Sequence, residues 1–364
     1  MPALTPGEFQ VLRHDVRSFV GDYTRMDYGD PTAPRMAQLR EEFGLEAVVS
    51  GLDTEFEQFL ALKRWVRSRW DHGWSHSFGK VKDALDILRE AARGEQFFCE
   101  HFAITLSQCA TALGWPARMV AINIAECGSP RDYHAGNTGH GVVEIWSNEH
   151  GKWVVMDADM NVHYERDGVP LHALEIRDAW LSGEADRVRM VQDEPAFVFP
   201  AGRTVEIWRE NHGGGAQWNE GKARTVLETF ARHRALDYYA RVRVNGWLWV
   251  DQRCLPTLIR NSAPWSVRTT SNPADMYWTV NAVRMSLKPG WDEKGGCLTV
   301  TLEHCTPFFS HYEARTDRGE WRRGEATLAW PMREGVNTLE CRAVNVMGRR
   351  GVTSSLDVAY ASPQ

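Results

Sequence analysis

Two neighbouring stretches decide the fold, Phe97-Phe98-Cys99-Glu100-His101-Phe102-Ala103 and Leu113-Gly114-Trp115-Pro116-Ala117-Arg118-Met119-Val120. Between them apolar residues recur at Phe102, Leu106, Ala110 and Leu113, the spacing of one helix face. Gly114 and Pro116 then stop the helix, the first by tolerating a left-handed backbone and the second by lacking an N–H. From 117 to 124 the pattern turns to strand character. Cys99 therefore opens a helix, where unpaired N–H groups and the helix dipole favour a thiolate. A cysteine so placed is more often a small buried hydrophobe, and Cys109, inside the same helix, reads as that.

Upstream, Thr54 and Glu57 form the signature of a capping box, and Phe59, Leu62, Val66 and Trp70 continue a helix over 54–70. A second helix is expected from Val81 to Ala92, with Leu85, Leu88 and Ala92 on one side and Gly94 as its stop. Downstream, runs at 140–146 and 152–157 flank the polar turn Ser147–Gly151 and predict a hairpin. Pairing Trp146 with Gly151 places His140 opposite Asp157 on one face, whereas a slip of one residue would divide the pair. A carboxylate beside an imidazole holds one tautomer and leaves the other nitrogen to take a thiol proton. Cys99, His140 and Asp157 are thus the candidate nucleophile, base and orienter. The other imidazoles, His101, His134, His150 and His163, have no carboxylate placed in this way by the pattern.

At this point the chain resembles the transglutaminase-like proteins. The Cys99 segment through Val120 is similar to the family's cysteine helix with its Ala-Leu-Gly turn and Ala-Arg strand. Gly139-His140-Gly141-Val142-Val143-Glu144-Ile145-Trp146 resembles its histidine strand, and Lys152-Trp153-Val154-Val155-Met156-Asp157 its aspartate strand. Ala158-Asp159-Met160-Asn161 resembles the following turn, with Ala158 where proline is usual. The resemblance spans roughly 54–175 and implies a papain-like α+β fold with Cys99, His140 and Asp157 in the catalytic roles. It implies acyl transfer from an amide or ester through a Cys99 thioester, by a peptidase, amidase or transglutaminase. The acyl donor would be a peptide, isopeptide, glycopeptide or small acylated metabolite.

Composition agrees with a folded globular protein and narrows its partners. Of 364 residues, 43% are hydrophobic and 25% charged, which argues against disorder. Forty-two Lys and Arg against 48 Asp and Glu leave a net charge of −6, so no basic field offers itself to nucleic acid. No apolar run suits a bilayer and the first residues lack a signal pattern, so a soluble cytoplasmic protein is expected. Seven cysteines scattered from 99 to 341 do not suggest a disulfide framework.

No cofactor or metal is expected. There is no C-x-x-C and no H-E-x-x-H. Asp157-x-Asp159-x-Asn161 opens like a calcium loop, but Val162 and Gly168 occupy the positions that need glycine and glutamate. Ser77-Phe78-Gly79-Lys80 fits Ser-x-x-Lys without its companion motifs. Gln96 is a candidate oxyanion donor, beside the backbone N–H at the start of the Cys99 helix, and Trp74 and Trp115 are candidate cleft residues. Most of the 16 tryptophans would simply fill cores.

Three parts are expected: a catalytic domain over 1–200 with N-terminal helices, a connecting region over 201–270, and a β-sandwich over 271–364. The middle part shows Gly213-Gly214-Gly215, a helical stretch near Ala223–Tyr239 and a Trp-rich strand at Gly246–Val250. Short β runs at 277–287, 297–303, 325–330, 337–345 and 352–359 follow, punctuated by glycines. This last part resembles immunoglobulin-like modules appended to bacterial enzymes, which bind a polymer or support the catalytic domain. A non-catalytic protein holding a glycan or peptide on the same fold is the alternative, and thiol reactivity separates the two.

Overall fold

The computed structural model describes residues 4–15, 26, 28–73, 75–77, 80–123, 139–195, 235–239, 246–250, 266–292 and 295–362. In chain order the elements are β1 (Phe9–His14), α1 (Pro34–Phe43), α2 (Leu45–Val49), α3 (Glu55–Arg67), α4 (Ala84–Ala91), α5 (Cys99–Ala112), β2 (Ala117–Asn123), β3 (Gly139–Ser147), β4 (Lys152–Asp157), β5 (Val162–Arg166), β6 (Val169–Pro170), α6 (Ala173–Leu181), β7 (Val188–Gln192), β8 (Ala235–Tyr239), β9 (Gly246–Val250) and β10 (Ser266–Thr270). The rest are strands: β11 (Val283–Asp292), β12 (Gly295–His304), β13 (Phe309–Thr316), β14 (Arg322–Gly324), β15 (Thr327–Pro331), β16 (Gly335–Asn345) and β17 (Ser354–Tyr360). The architecture is α+β, with helices and strands first and β-sheets at the end. The chain separates into two compact units, one of residues 26–277 and one of residues 1–25 with 278–364.

In the first unit a nine-stranded sheet runs β10-β9-β8-β2-β3-β4-β5-β6, with β7 joined to β5. Ala235–Tyr239 is strand β8, antiparallel to β2. The helix expected over Ala223–Tyr239 is therefore wrong at its end, because sheet pairing overrides a weak local helical pattern. Residues 223–234 and the Gly213–Gly215 loop lie outside the described residues.

Helices α3, α4 and α5 pack one face of the sheet. Phe59, Leu62 and Val66 of α3, Leu85 and Leu88 of α4, and Phe102, Leu106 and Ala110 of α5 share a core with Val143, Ile145, Val154 and Met156. α3 opens with the expected capping box: Thr54 Oγ1 accepts from the Glu57 N–H at 3.1 Å and Glu57 Oε2 accepts from the Thr54 N–H at 3.0 Å. α4 starts at Ala84 rather than Val81, because the Asp83 carboxylate caps it by accepting from the Asp86 N–H. α5 runs from Cys99 to Ala112, and Gly114 beyond it has φ +89°.

The β3–β4 hairpin pairs Trp146 with Trp153 and Ser147 with Lys152. The pairing of Trp146 with Gly151 is thus corrected by two residues; Gly151, at φ +62°, belongs to the turn. A shift of two keeps every side chain on its face, so His140 and Asp157 still share one side, now as diagonal neighbours.

Between β2 and β3 lies a closed polar network. Arg118 and Glu144 are cross-strand partners with no exposed surface, and Glu144 Oε2 accepts from Arg118 Nε at 2.9 Å and Nη2 at 2.7 Å. Glu144 Oε1 accepts from the Tyr277 hydroxyl at 2.8 Å and the Ala173 N–H at 2.9 Å. Arg118 Nη1 donates to the Met276 carbonyl, and the guanidinium lies 4.1 Å from the Trp153 ring centroid.

The second unit has a five-stranded sheet, β1-β17-β16-β13-β14, and a three-stranded sheet, β11-β12-β15. Alternating residues of both, among them Met285, Val300, Trp330, Leu339, Leu356 and Val358, form one apolar core. β1, β13 and β14 have no counterpart among the strands expected from sequence. β1 is antiparallel to β17, with Phe9 opposite Tyr360.

Candidate active site

Cys99 is the first residue of α5, behind Phe98 as N-cap, and it is half-buried. Its backbone N–H falls in the first turn, where helical N–H groups have no intrahelical acceptor. Phe97, two residues earlier, is gripped by the chain after α3: its carbonyl accepts from the Gly73 N–H at 3.1 Å and from Trp70 Nε1 at 3.3 Å. β3 passes close to the same turn at Gly141. A methyl group added there would lie 3.4 Å from Glu100 Cα and 3.6 Å from the Cys99 carbonyl carbon, in contact with the backbone that carries the thiol.

His140 precedes that glycine and is 6% exposed. Its Nε2 meets Asp157 Oδ2 at 2.6 Å, and Asp157 Oδ1 accepts from the Met160 N–H at 2.9 Å. Both carboxylate oxygens are thereby engaged, which fixes the plane of the imidazole. Nδ1 is the nitrogen left for the thiol. Burial alone drives the His140 pKa down, but the charge and hydrogen bond of Asp157, with a hydrogen bond to Cys99, more than offset it and hold the imidazole well above its ordinary value. The imidazolium form is the one that pairs with a thiolate.

Asp159, fully buried, brings a second carboxylate to the same place. Cys99, His140 and Asp159 each offer one ligating atom, and these atoms all lie within 4.8 Å of one another. Asp159 is held in turn by His72, whose Nδ1 lies 2.8 and 2.9 Å from its two oxygens. His72 is 5% exposed and bridges to Phe97 in the clamp behind Cys99. Sequence reasoning missed His72, because the segment 71–73 shows no periodicity and its partner is 87 residues away.

The remaining candidates fall elsewhere. Trp115 has no exposed surface; it stacks edge-on to Phe59 at 5.1 Å and donates to Glu55 Oε1, so it fills the core and lines no cleft. Gln96 is exposed and lies over Gly73, where an added methyl would come within 2.5 Å of its Oε1. Trp74 and His134 lie outside the described residues. His163 does have a carboxylate, contrary to expectation: its Nε2 lies 2.9 Å from Glu165 Oε1, two residues along the same strand. His101 stacks on Phe97 at 4.8 Å, and His150 lies edge-on to Phe56.

Lys63 of α3 is also buried, with Nζ 2.8 Å from Asp193 Oδ2 and 3.2 Å from the Asn161 carbonyl. Burial pushes its pKa down against the pull of Asp193 and Asp157. Asn161 ends the Asp157 turn at φ +55°, a left-handed conformation that asparagine tolerates. Among the described residues Cys99, Cys109, Cys297, Cys305 and Cys341 are free thiols, and no helix is long and apolar enough to cross a membrane.

A thiol at a helix start, an imidazole beside it and a carboxylate behind the imidazole form the apparatus of cysteine-dependent acyl transfer. Residues 45–158 match the family model described as the transglutaminase-like superfamily. No curated protein matches. Among solved structures, a candidate cysteine protease from Cytophaga hutchinsonii is 16% identical, covering 47% of this chain and 50% of that one, with a TM-score of 0.27. The chain thus spans half the length of that protein. Red sea bream transglutaminase is 10% identical over 96% of this chain and 76% of its own, also with a TM-score of 0.27.

Proposed function

We propose that the protein is a cysteine-dependent acyl-transfer enzyme in which Cys99 is the nucleophile, His140 the general base and Asp157 the residue that orients it. His140 Nδ1 takes the thiol proton while Nε2 donates to Asp157. The thiolate attacks an amide or ester carbonyl, and the oxyanion is met by the Cys99 backbone N–H, with Gln96 as a candidate second donor. The imidazolium then protonates the departing amine or alcohol, leaving a thioester. Water or an amine resolves it, with His140 again as base. The substrate class is a peptide, glycopeptide or acylated small molecule. The second unit is read as an immunoglobulin-like module.

The single observation that carries this reading is the 2.6 Å contact of His140 Nε2 with Asp157, which leaves the other ring nitrogen for Cys99. The test is iodoacetamide labelling across pH with mass-spectrometric mapping. Cys99 is expected to react at neutral pH ahead of Cys305 and Cys341, whose thiols burial pushes up to about 11 and about 12. A Cys99 no more reactive than these would overturn the assignment in favour of a non-catalytic binding protein.

A further inference from the structure

Three different ligating atoms converge at this site, and the imidazole and the carboxylate each have a partner behind them. His140 donates through Nε2 to Asp157, the carboxylate–histidine arrangement that orients a metal-binding imidazole and raises its basicity. Asp159 is held at both oxygens by a single His72 nitrogen, so each oxygen keeps a lone pair free. Cys99 is half-buried, which gives the cluster a route from solvent.

We propose that Cys99 Sγ, His140 Nδ1 and Asp159 form a three-ligand site for a divalent zinc ion, which binds reversibly and switches the nucleophile off. The proposal concerns regulation of the same site and rests, for its inhibitory consequence, on Cys99 being the nucleophile. The donor set selects the ion. Calcium and magnesium take oxygen shells, whereas a thiolate, an imidazole and a carboxylate are the mixture zinc accepts. Tetrahedral zinc with bonds of about 2.0–2.3 Å needs its ligands roughly 3.3–3.7 Å apart. One ligating atom from each residue lies within 4.8 Å of the others, so side-chain rotations that bring them about 1 Å closer complete the shell. A water would fill the fourth position. On binding, the proton shared between Cys99 Sγ and His140 Nδ1 is released to solvent, and the sulfur and Nδ1 lone pairs needed for catalysis become metal bonds. Asp157 is not a ligand, so this site differs from the calcium loop that the sequence imitates.

The test uses the full chain and the metal alone. Zinc is titrated against a chromophoric chelator, and cobalt(II) is added separately as a spectroscopic reporter. One zinc per chain at micromolar affinity is expected. Cobalt should give a thiolate-to-metal charge-transfer band, and iodoacetamide labelling of Cys99 should be blocked by zinc and restored by chelator. Asp159→Asn should weaken binding by about tenfold or more, and Cys99→Ser, which changes little volume, should abolish the cobalt band. Thermal melts confirm that both variants fold. Absence of micromolar binding, or binding that is equal in wild type, Asp159→Asn and Cys99→Ser, would overturn the proposal. Cys99 that resists iodoacetamide without metal defeats the acyl-transfer reading instead, while the cobalt band still decides the metal site.

Discussion

His140 and Glu144 stand four residues apart on the same face of β3, both buried and both in charged networks, yet they serve opposite ends. Glu144 is saturated: Arg118 donates to it twice, and the Tyr277 hydroxyl and the Ala173 N–H occupy its other oxygen. His140 is held by Asp157 on one side only and keeps a nitrogen toward a thiol that solvent can reach. A buried charge with every partner in place contributes to a defined structure. One with a vacancy aimed at a reactive atom is available for chemistry.

That contrast can be broken most sharply at Cys99. Cys99→Ala should lower turnover by about a thousandfold or more with little change in melting temperature, and His140→Ala should match it, since nucleophile and base fail together. Substrate turnover and a melting curve on the same preparation decide. Glu144→Ala should do the reverse. Leaving Arg118 buried without its carboxylate should cost about 3–5 kcal/mol, read from urea unfolding, while the molecules that remain folded keep their turnover. Loss of turnover with unchanged stability in that variant would erase the distinction between the two networks.

Asp157→Asn should reduce turnover by about a hundredfold, less than loss of Cys99, because an amide can still orient the ring but cannot stabilise its positive charge. The same variant carries a pH signature. The folded pKa of His140 is raised above its unfolded value, so its contribution to stability is complete below the ordinary imidazole range. That contribution fades as the pH rises through the raised value. Wild type should therefore lose stability on the alkaline side of the ordinary imidazole pKa, and Asp157→Asn should lose less there; parallel stability–pH curves would refute the pairing. The smallest effect is expected far from both networks, at Thr54→Ala, where loss of the α3 cap should cost about 1 kcal/mol without touching turnover.

What the sequence made legible was short-range. The capping box, the α5 boundaries and the glycine past its end are signals a few residues long. The His140–Asp157 pair survived an error of two in register because strand side chains alternate with a period of two. His72 and Asp159 were not legible as a pair, for nothing local in Asp71-His72-Gly73 specifies a partner that far along the chain. Trp115 shows the converse: its position beside the catalytic segment suggested a cleft, but packing against Phe59 and a bond to Glu55 bury it. Glu165 beside His163 is i and i+2 on one strand, a spacing that puts both side chains on one face.

The pairing of β1 with β17 sets an order of events during synthesis. β1 pairs with β17, so it cannot join the five-stranded sheet until Ser354–Tyr360 has left the ribosome. The first unit, built from residues 26–277, is complete in sequence well before then and is free to form its helices and central sheet. β1, with Val11 half-exposed and its hydrogen-bonding edge open, must wait unpaired through that interval. The five-stranded sheet of the second unit is therefore completed only after β17 has emerged. A nascent chain stalled anywhere before β17 carries β1 as an unpaired strand, a natural target for chaperones.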